Sequence, residues 1–268
     1  MSPSTYKVEG ARMSGKDAKR KYISSSEKAE YILKKILNEG PLSVADLTEY
    51  FIREYNMRAS TARSSASNIV NTLIDLDVLE YIGTDKRGSK RVDITPFGIQ
   101  VLTFMFSFPG KTRILSANDV INALKRKNRE DLIPLIKLFL TVENIKHKQR
   151  FEEELEEFEE EYTDILDFLE FGSELEDRLG TRISDWSDLE ESLINTLSET
   201  IRELFLEKKG RLYDLIEFTK NLNEEERRAL IKVLFVMRES IEEEIMKLEK
   251  IKKMLEEFLS KQTGYVKG

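Results

Sequence analysis

The chain has no cysteine. This excludes disulfides, thiol catalysis and cysteine-ligated zinc, and says little about compartment. Its single histidine, His147, stands among Lys146, Lys148 and Arg150, a setting that suits a surface residue better than a ligand or base. A long apolar run is also missing. The longest, around residues 101–108, contains Thr103 and Ser107 and falls short of the ~18 residues that cross a bilayer. Residues 1–22 are polar and basic without an apolar stretch, so they do not read as a secretory signal. No phosphate-binding glycine loop, nucleophile triad or metal-ligand spacing is present. Catalysis, a metal and a cofactor are therefore not expected. Glutamine is scarce (Gln100, Gln149, Gln262). Together with abundant Glu and Lys, this leans towards a thermophile's composition.

What the chain does have is charge, unevenly placed. Residues 1–150 carry 26 Lys+Arg against 17 Asp+Glu, and residues 151–268 carry 17 against 33. Net charges of +9 and −16 add to the overall −7. Such asymmetry suggests a different partner for each half. At 268 residues with 40% hydrophobic content, two domains can bury a core.

Residues 1–22 read as a mobile basic arm, with Lys7, Arg12, Lys16, Lys19, Arg20 and Lys21. A first helix opens at Ser24, where Glu27 completes a capping box. Ala29, Ile32, Leu33 and Ile36 share one face, and Gly40-Pro41 ends it. A second helix opens at Ser43, with Asp46 at the third helical position and with Leu42 and Leu47 placed as a hydrophobic staple. The third runs over about 60–76, with Ala62, Ala66, Ile69, Leu73 and Leu76 inward. Residues 78–82 and 91–94 read as two strands around the basic turn 83–90, and Thr95-Pro96 starts a helix to about 106.

Two short helices, 116–127 and 131–141, then connect to a long acidic helix over about 143–171. There Phe151, Leu155, Phe158, Tyr162, Ile165 and Leu169 step by four and three. Further helices are expected at 188–209 and 211–220. A last one, capped by Asn223, reaches about Leu259 with a seam of Leu230, Leu234, Met237, Ile241, Glu244, Leu248, Ile251, Leu255 and Phe258. At 1.5 Å per residue this helix is ~54 Å long, which favours a dimer stalk over an internal pair. Glycines 172, 180 and 210 leave an intramolecular bundle open. Residues 152–161 hold eight glutamates in ten. Pointing all round a helix, they make a poor metal site and suit a solvated face, a basic partner or the chain's own basic half. Trp186 suits packing between helices.

The order helix, helix, turn, helix, strand, basic hairpin, strand, helix resembles the winged helix-turn-helix domain of MarR-type and PadR-type transcription regulators. The resemblance rests on Ala45-Asp46-Leu47, the helix 60–76, Val78–Ile82, the hairpin Lys86-Arg87-Gly88-Ser89-Lys90-Arg91, and Ile94-Thr95-Pro96-Phe97-Gly98. It covers about residues 24–106. For those residues it implies a winged helix, at 23–110, that reads double-stranded DNA; the acidic half matches no family, and its role is not carried over. The helical pattern of the remainder adds a helical connector at 111–142 and, from the heptad seams, an acidic coiled-coil or bundle dimerisation domain at 143–268, so the expected fold is mainly α. The expected function is a homodimeric, sequence-specific transcription regulator, cytoplasmic and associated with the nucleoid. Alternatives are an architectural, segregation or replication-associated DNA-binding protein, and a scaffold whose winged helix binds protein.

Physical chemistry points the same way. A helix entering the major groove needs a thin, polar outer face. Ser60, Thr61, Ser64, Ser65, Asn68 and Asn71 would supply it, with Arg63 at its edge. Lys86, Arg87, Lys90 and Arg91 would bring cations to the backbone or minor groove. The cluster Lys125, Arg126, Lys127 and Arg129 either extends this footprint or, slightly favoured, is a charged helix end. Phe151, Leu155, Phe158, Tyr162, Leu230, Leu234, Met237, Ile241, Leu248, Ile251, Leu255 and Phe258 are the candidate dimer contacts.

Overall fold

The computed structural model describes residues 24–107, 114–153, 165–166, 169, 183, 185–207 and 212–265. The basic arm, Pro109-Gly110 and most of the acidic run 152–161 lie outside the described residues. The chain is mainly helical with one small sheet.

Helices α1 (Ser25–Glu39) and α2 (Val44–Tyr55) open on Ser24 and Ser43. Each hydroxyl accepts the N–H three residues on, and Glu27 and Asp46 return the bond to the cap's own N–H. These reciprocal bonds satisfy donors that a helix start leaves open. Helix α3 (Ala59–Asp75) buries Ala62, Ala66, Ile69, Val70 and Leu73, the phase expected from the sequence.

Strands β2 (Leu79–Thr84) and β3 (Lys90–Ile94) form the hairpin. A two-residue strand, β1 (Leu42–Ser43), pairs with β3 and makes the sheet three-stranded, in the order β1-β3-β2. The sequence reading placed Leu42 only in a staple and missed this strand. Two residues are too few for a period-2 pattern, and their partners Val92 and Arg91 lie 50 and 48 residues on. Between Tyr81 and Gly83 the register slips by one, leaving Ile82 as a bulge. Such an insertion bends and twists a strand, and Tyr81 and Ile82 are both exposed on this edge strand.

Helix α4 (Pro96–Ser107) starts at a tight junction. The Thr95 hydroxyl accepts the Gly98 N–H at 2.8 Å and donates to the Asp77 carbonyl at 2.5 Å. The Thr95 N–H donates to the Val78 carbonyl at 3.1 Å. Gly98 is needed because a Cβ there would stand 2.4 Å from that same Val78 oxygen.

Helix α5 (Ala117–Arg126) packs on α1, with Asn38 donating to Asp119 at 2.7 Å. A single 3-10 turn, Glu130–Leu132, leads into α6 (Ile133–Glu153). This corrects one expectation: residues 131–141 and the start of the acidic helix, expected as separate helices, are one unbroken element. The pattern misled because both segments are apolar on shifting faces, and α6 meets α4 on one side and the later helices on another.

Helix α7 (Trp186–Arg202) runs into a π-helical turn at Glu203–Glu207, followed by α8 (Leu212–Lys220) and α9 (Glu224–Tyr265). Leu193, Leu197, Ile201 and Leu204 of the α7 region are buried against the chain's own helices. So are Ile165 and Leu169, and the Ile165 N–H donates to the Ser26 hydroxyl at 3.0 Å. The two oppositely charged halves thus share one continuous core. Gln100 of α4 donates to Ser192 of α7 at 2.7 Å, and Thr200 donates to Glu143 at 3.2 Å.

The proposed dimer seam divides. Leu230 and Met237 are buried, and Leu234 and Ile241 pack against the same core. These four belong to the subunit's own bundle, which corrects their assignment to a dimer contact: α6 and α7 reach that face first. Leu248, Ile251, Leu255 and Phe258 are exposed. Phe151 lies in α6 with its side chain outside the described residues, as do Leu155, Phe158 and Tyr162 altogether.

Candidate nucleic-acid interface

The outward face of α3 carries Ser60, Thr61, Arg63, Ser64, Asn68 and Asn71, all exposed, with Ser65 half-buried. Their position follows from the inward phase of Ala62, Ala66 and Ile69. Small side chains keep this ridge low, so backbone and hydroxyls can come close to a surface they meet. Arg58, exposed at the start of α3, adds a cation that the sequence reading passed over, because it sits in the turn rather than on the helix.

The hairpin tip is built around Asp85. Its carboxylate accepts the N–H groups of Arg87 and Ser89, each at 2.8 Å. The backbone closes through Asp85 N–H to the Ser89 carbonyl at 2.8 Å and Gly88 N–H to the Asp85 carbonyl at 3.0 Å. Gly88 has a φ of +78°, the left-handed region such a turn uses. This frame leaves Lys86, Arg87 and Lys90 exposed on its outside.

One residue joins helix and hairpin. The Tyr81 hydroxyl donates to the Asn71 side-chain oxygen at 3.2 Å, and the Lys90 ammonium lies 4.7 Å from the Tyr81 ring centre. Tyr81 therefore holds the hairpin against the exposed side of α3 through a hydrogen bond and a cation–π contact. The sequence reading used Tyr81 only as a strand residue. Its signal is an aromatic two residues before a glycine in a strand, which by itself also fits ordinary packing.

The predicted cations are not equivalent. The Arg91 guanidinium donates to the Pro41 carbonyl at 2.7 Å and is half-buried, so it fastens β3 to the start of β1. Arg87 approaches Glu49 at 3.7 Å, a solvated pair of little strength. Asp46 has its carboxyl held below the usual range, first by the Ser43 N–H and hydroxyl, then by the fields of Arg87 and Arg91.

The second basic cluster serves the fold. Arg126 donates to the Ile36 and Leu37 carbonyls at 2.6 and 2.7 Å, capping the end of α1 from another helix. Burial pushes its guanidinium below its ordinary value. Lys127 meets Asp93, which is 2% exposed, at 2.5 Å and lies 5.8 Å from the Trp186 ring centre. Arg129 pairs with Asp131 at 2.9 Å. Of this cluster only Lys125 is left exposed. His147 lies in α6, its side chain outside the described residues.

Among the described residues no cluster of His, Asp or Glu could hold a metal ion, and no helix is long and apolar enough to cross a membrane. Comparison with protein-family models, curated proteins and solved structures finds no match to the chain.

Proposed function

We propose that the protein binds double-stranded DNA as a homodimer and acts as a sequence-specific transcription regulator. In this reading residues 24–107 are a winged helix-turn-helix. Helix α3 enters the major groove, and the 83–91 hairpin is the wing on the adjacent backbone or minor groove. The observation that carries it is the junction of the exposed polar face of α3 with the cationic hairpin through Asn71, Tyr81 and Lys90. The three-stranded sheet in the order β1-β3-β2, in contact with α1, α2 and α3, suits the same reading. Ser60, Thr61, Ser64, Ser65 and Asn68 read bases, while Arg58, Arg63, Lys86, Arg87 and Lys90 meet phosphates. Arg91 leaves the contact set because it is engaged with Pro41.

The test is a DNA titration at two salt concentrations with selected and random duplexes. Each phosphate neutralised contributes a log–log salt slope near −0.9, so about six to ten contacts in a dimer give a steep dependence. No binding to any duplex at low salt overturns the reading. Equal affinity for all duplexes moves it to an architectural role.

A further inference from the structure

We propose that Asn71 and Lys90, both positioned by Tyr81, form a site for one backbone phosphate of DNA at the joint between α3 and the hairpin. This rests on the nucleic-acid reading above and deepens it. Asn71, which the sequence pattern groups with the base-facing residues, takes a phosphate instead.

The pleat of the hairpin brings the three residues together. On one face of the sheet Leu79 pairs with Ile94, and Tyr81 with Val92. Leu79, Ile94 and Val92 are buried while Tyr81 is 43% exposed, so this face leaves the core at Tyr81. Lys90 lies two residues before Val92 and therefore points to the same face. Diagonal neighbours on a face are within reach of long side chains, and the Lys90 ammonium settles over the Tyr81 ring, 4.7 Å from its centre. An ammonium has three donors, and one ring face does not use them all.

On its other side Tyr81 sets the Asn71 amide. Its hydroxyl donates to the Asn71 side-chain oxygen at 3.2 Å. The bond fixes the amide's rotation and turns the NH2 group, with its two donors, away from Tyr81. An asparagine reads adenine with both ends of its amide, accepting from N6 and donating to N7. With its oxygen engaged, Asn71 offers donors. Its ligand is then an acceptor, and a neighbouring cation favours an anionic one, a phosphate oxygen.

Helix phase puts that oxygen on the DNA backbone. At ~100° per residue, Asn68 lies ~40° to one side of Ser64 and Asn71 ~20° to the other. The bond to Tyr81 marks the Asn71 side as the hairpin side. Arg63, Ser67 and Asn71 step by four along this flank and form one ridge. Arg63 and Asn71 are both exposed and lie ~12 Å apart along the axis. The next residue on the ridge is Asp75, exposed and acidic. A phosphate strand that follows the ridge from Arg63 must leave it at Asn71, and Lys90 is the cation on the side where it leaves.

The test titrates the full chain on selected and random duplexes, with Asn71→Ala, Tyr81→Phe, the two combined, and Lys90→Ala. Asn71→Ala should weaken both duplexes alike, by about three- to tenfold, with the salt slope unchanged, because a neutral amide releases no counterion. Lys90→Ala should weaken both and reduce the slope by about one. Tyr81→Phe keeps the ring beneath Lys90 and removes only the hydroxyl that aims the amide. It should weaken both duplexes in the wild-type background and add nothing to Asn71→Ala. Selected duplexes carrying a neutral methylphosphonate at one backbone position at a time then locate the phosphate. One position should weaken the wild-type protein, and there Asn71→Ala, Tyr81→Phe and Lys90→Ala should each blunt the effect.

A loss by Asn71→Ala on the selected duplex alone, with the methylphosphonate pattern unchanged, means a base edge and overturns the proposal. Wild-type affinity in Asn71→Ala overturns it too. Additive losses in the combined variant mean that Tyr81 only holds the hairpin, and equally overturn it. These outcomes leave the nucleic-acid reading in place. A wild-type protein that binds no duplex removes that reading, and the phosphate site falls with it.

Discussion

Replacing Gly98 by alanine tests the junction that sets β2 against α4. The added Cβ would lie 2.4 Å from the Val78 carbonyl oxygen and 2.8 Å from the Ile94 side chain. A relaxed carbon–oxygen contact is about 3.3 Å or longer, so helix and strand must part by about 0.9 Å. The Val78 oxygen cannot simply swing aside. It accepts the Thr95 N–H at 3.1 Å and the Thr95 hydroxyl at 3.2 Å. Overpacking of this kind costs about 1–3 kcal/mol, and an obstructing backbone argues for the upper end. Alanine returns about 1 kcal/mol through its better helix propensity. The net expectation is about 2 kcal/mol of destabilisation. For a chain of this size that lowers Tm by about 4–8 °C in a calorimetric or circular-dichroism melt. Amide exchange should quicken at Thr95, whose N–H loses its partner. A variant that melts at or above the wild-type temperature would refute the close approach and the account of this motif.

Three further outcomes follow from named contacts. Lys127→Met strands the buried Asp93 carboxylate and should cost about 3–5 kcal/mol in denaturant unfolding. Adding Asp93→Asn should recover much of it, and no recovery would mean that Lys127 matters for packing on Trp186 instead. Lys86→Ala and Arg87→Ala should weaken selected and random duplexes alike, each reducing the salt slope by about one. Asn68→Ala and Ser64→Ala should lose about 1–3 kcal/mol on the selected duplex alone, and equal losses on both duplexes would remove sequence reading from α3. Asp46 has a folded-state pKa below its unfolded value. Its stabilisation is present above the unfolded pKa of about 3.9 and fades as pH falls through the folded value. Asp46→Asn should flatten that acid limb in a pH series of melts, and an unaltered limb would show that the capping box does not depend on the charge.

Local signals were legible in the sequence wherever the physics is local. Serine caps with an acid three residues on placed α1 and α2 to within a residue. The inward alanines of α3 placed its polar face, because every residue of a helix shares one rotation. Tertiary structure decided which of several adequate partners each group takes. Arg91, Arg126 and Lys127 look like any other surface cation in sequence, yet they hold Pro41, the end of α1 and Asp93. Long flexible cations settle on whichever carbonyl or carboxylate the packing brings within reach. The seam of α9 is the same case for apolar groups. A four–three spacing requires that a stripe be covered but is blind to whose helix covers it. The packing gives Leu230, Leu234, Met237 and Ile241 to the chain's own core, with α6 and α7 against α9, while Leu248, Ile251, Leu255 and Phe258 are exposed.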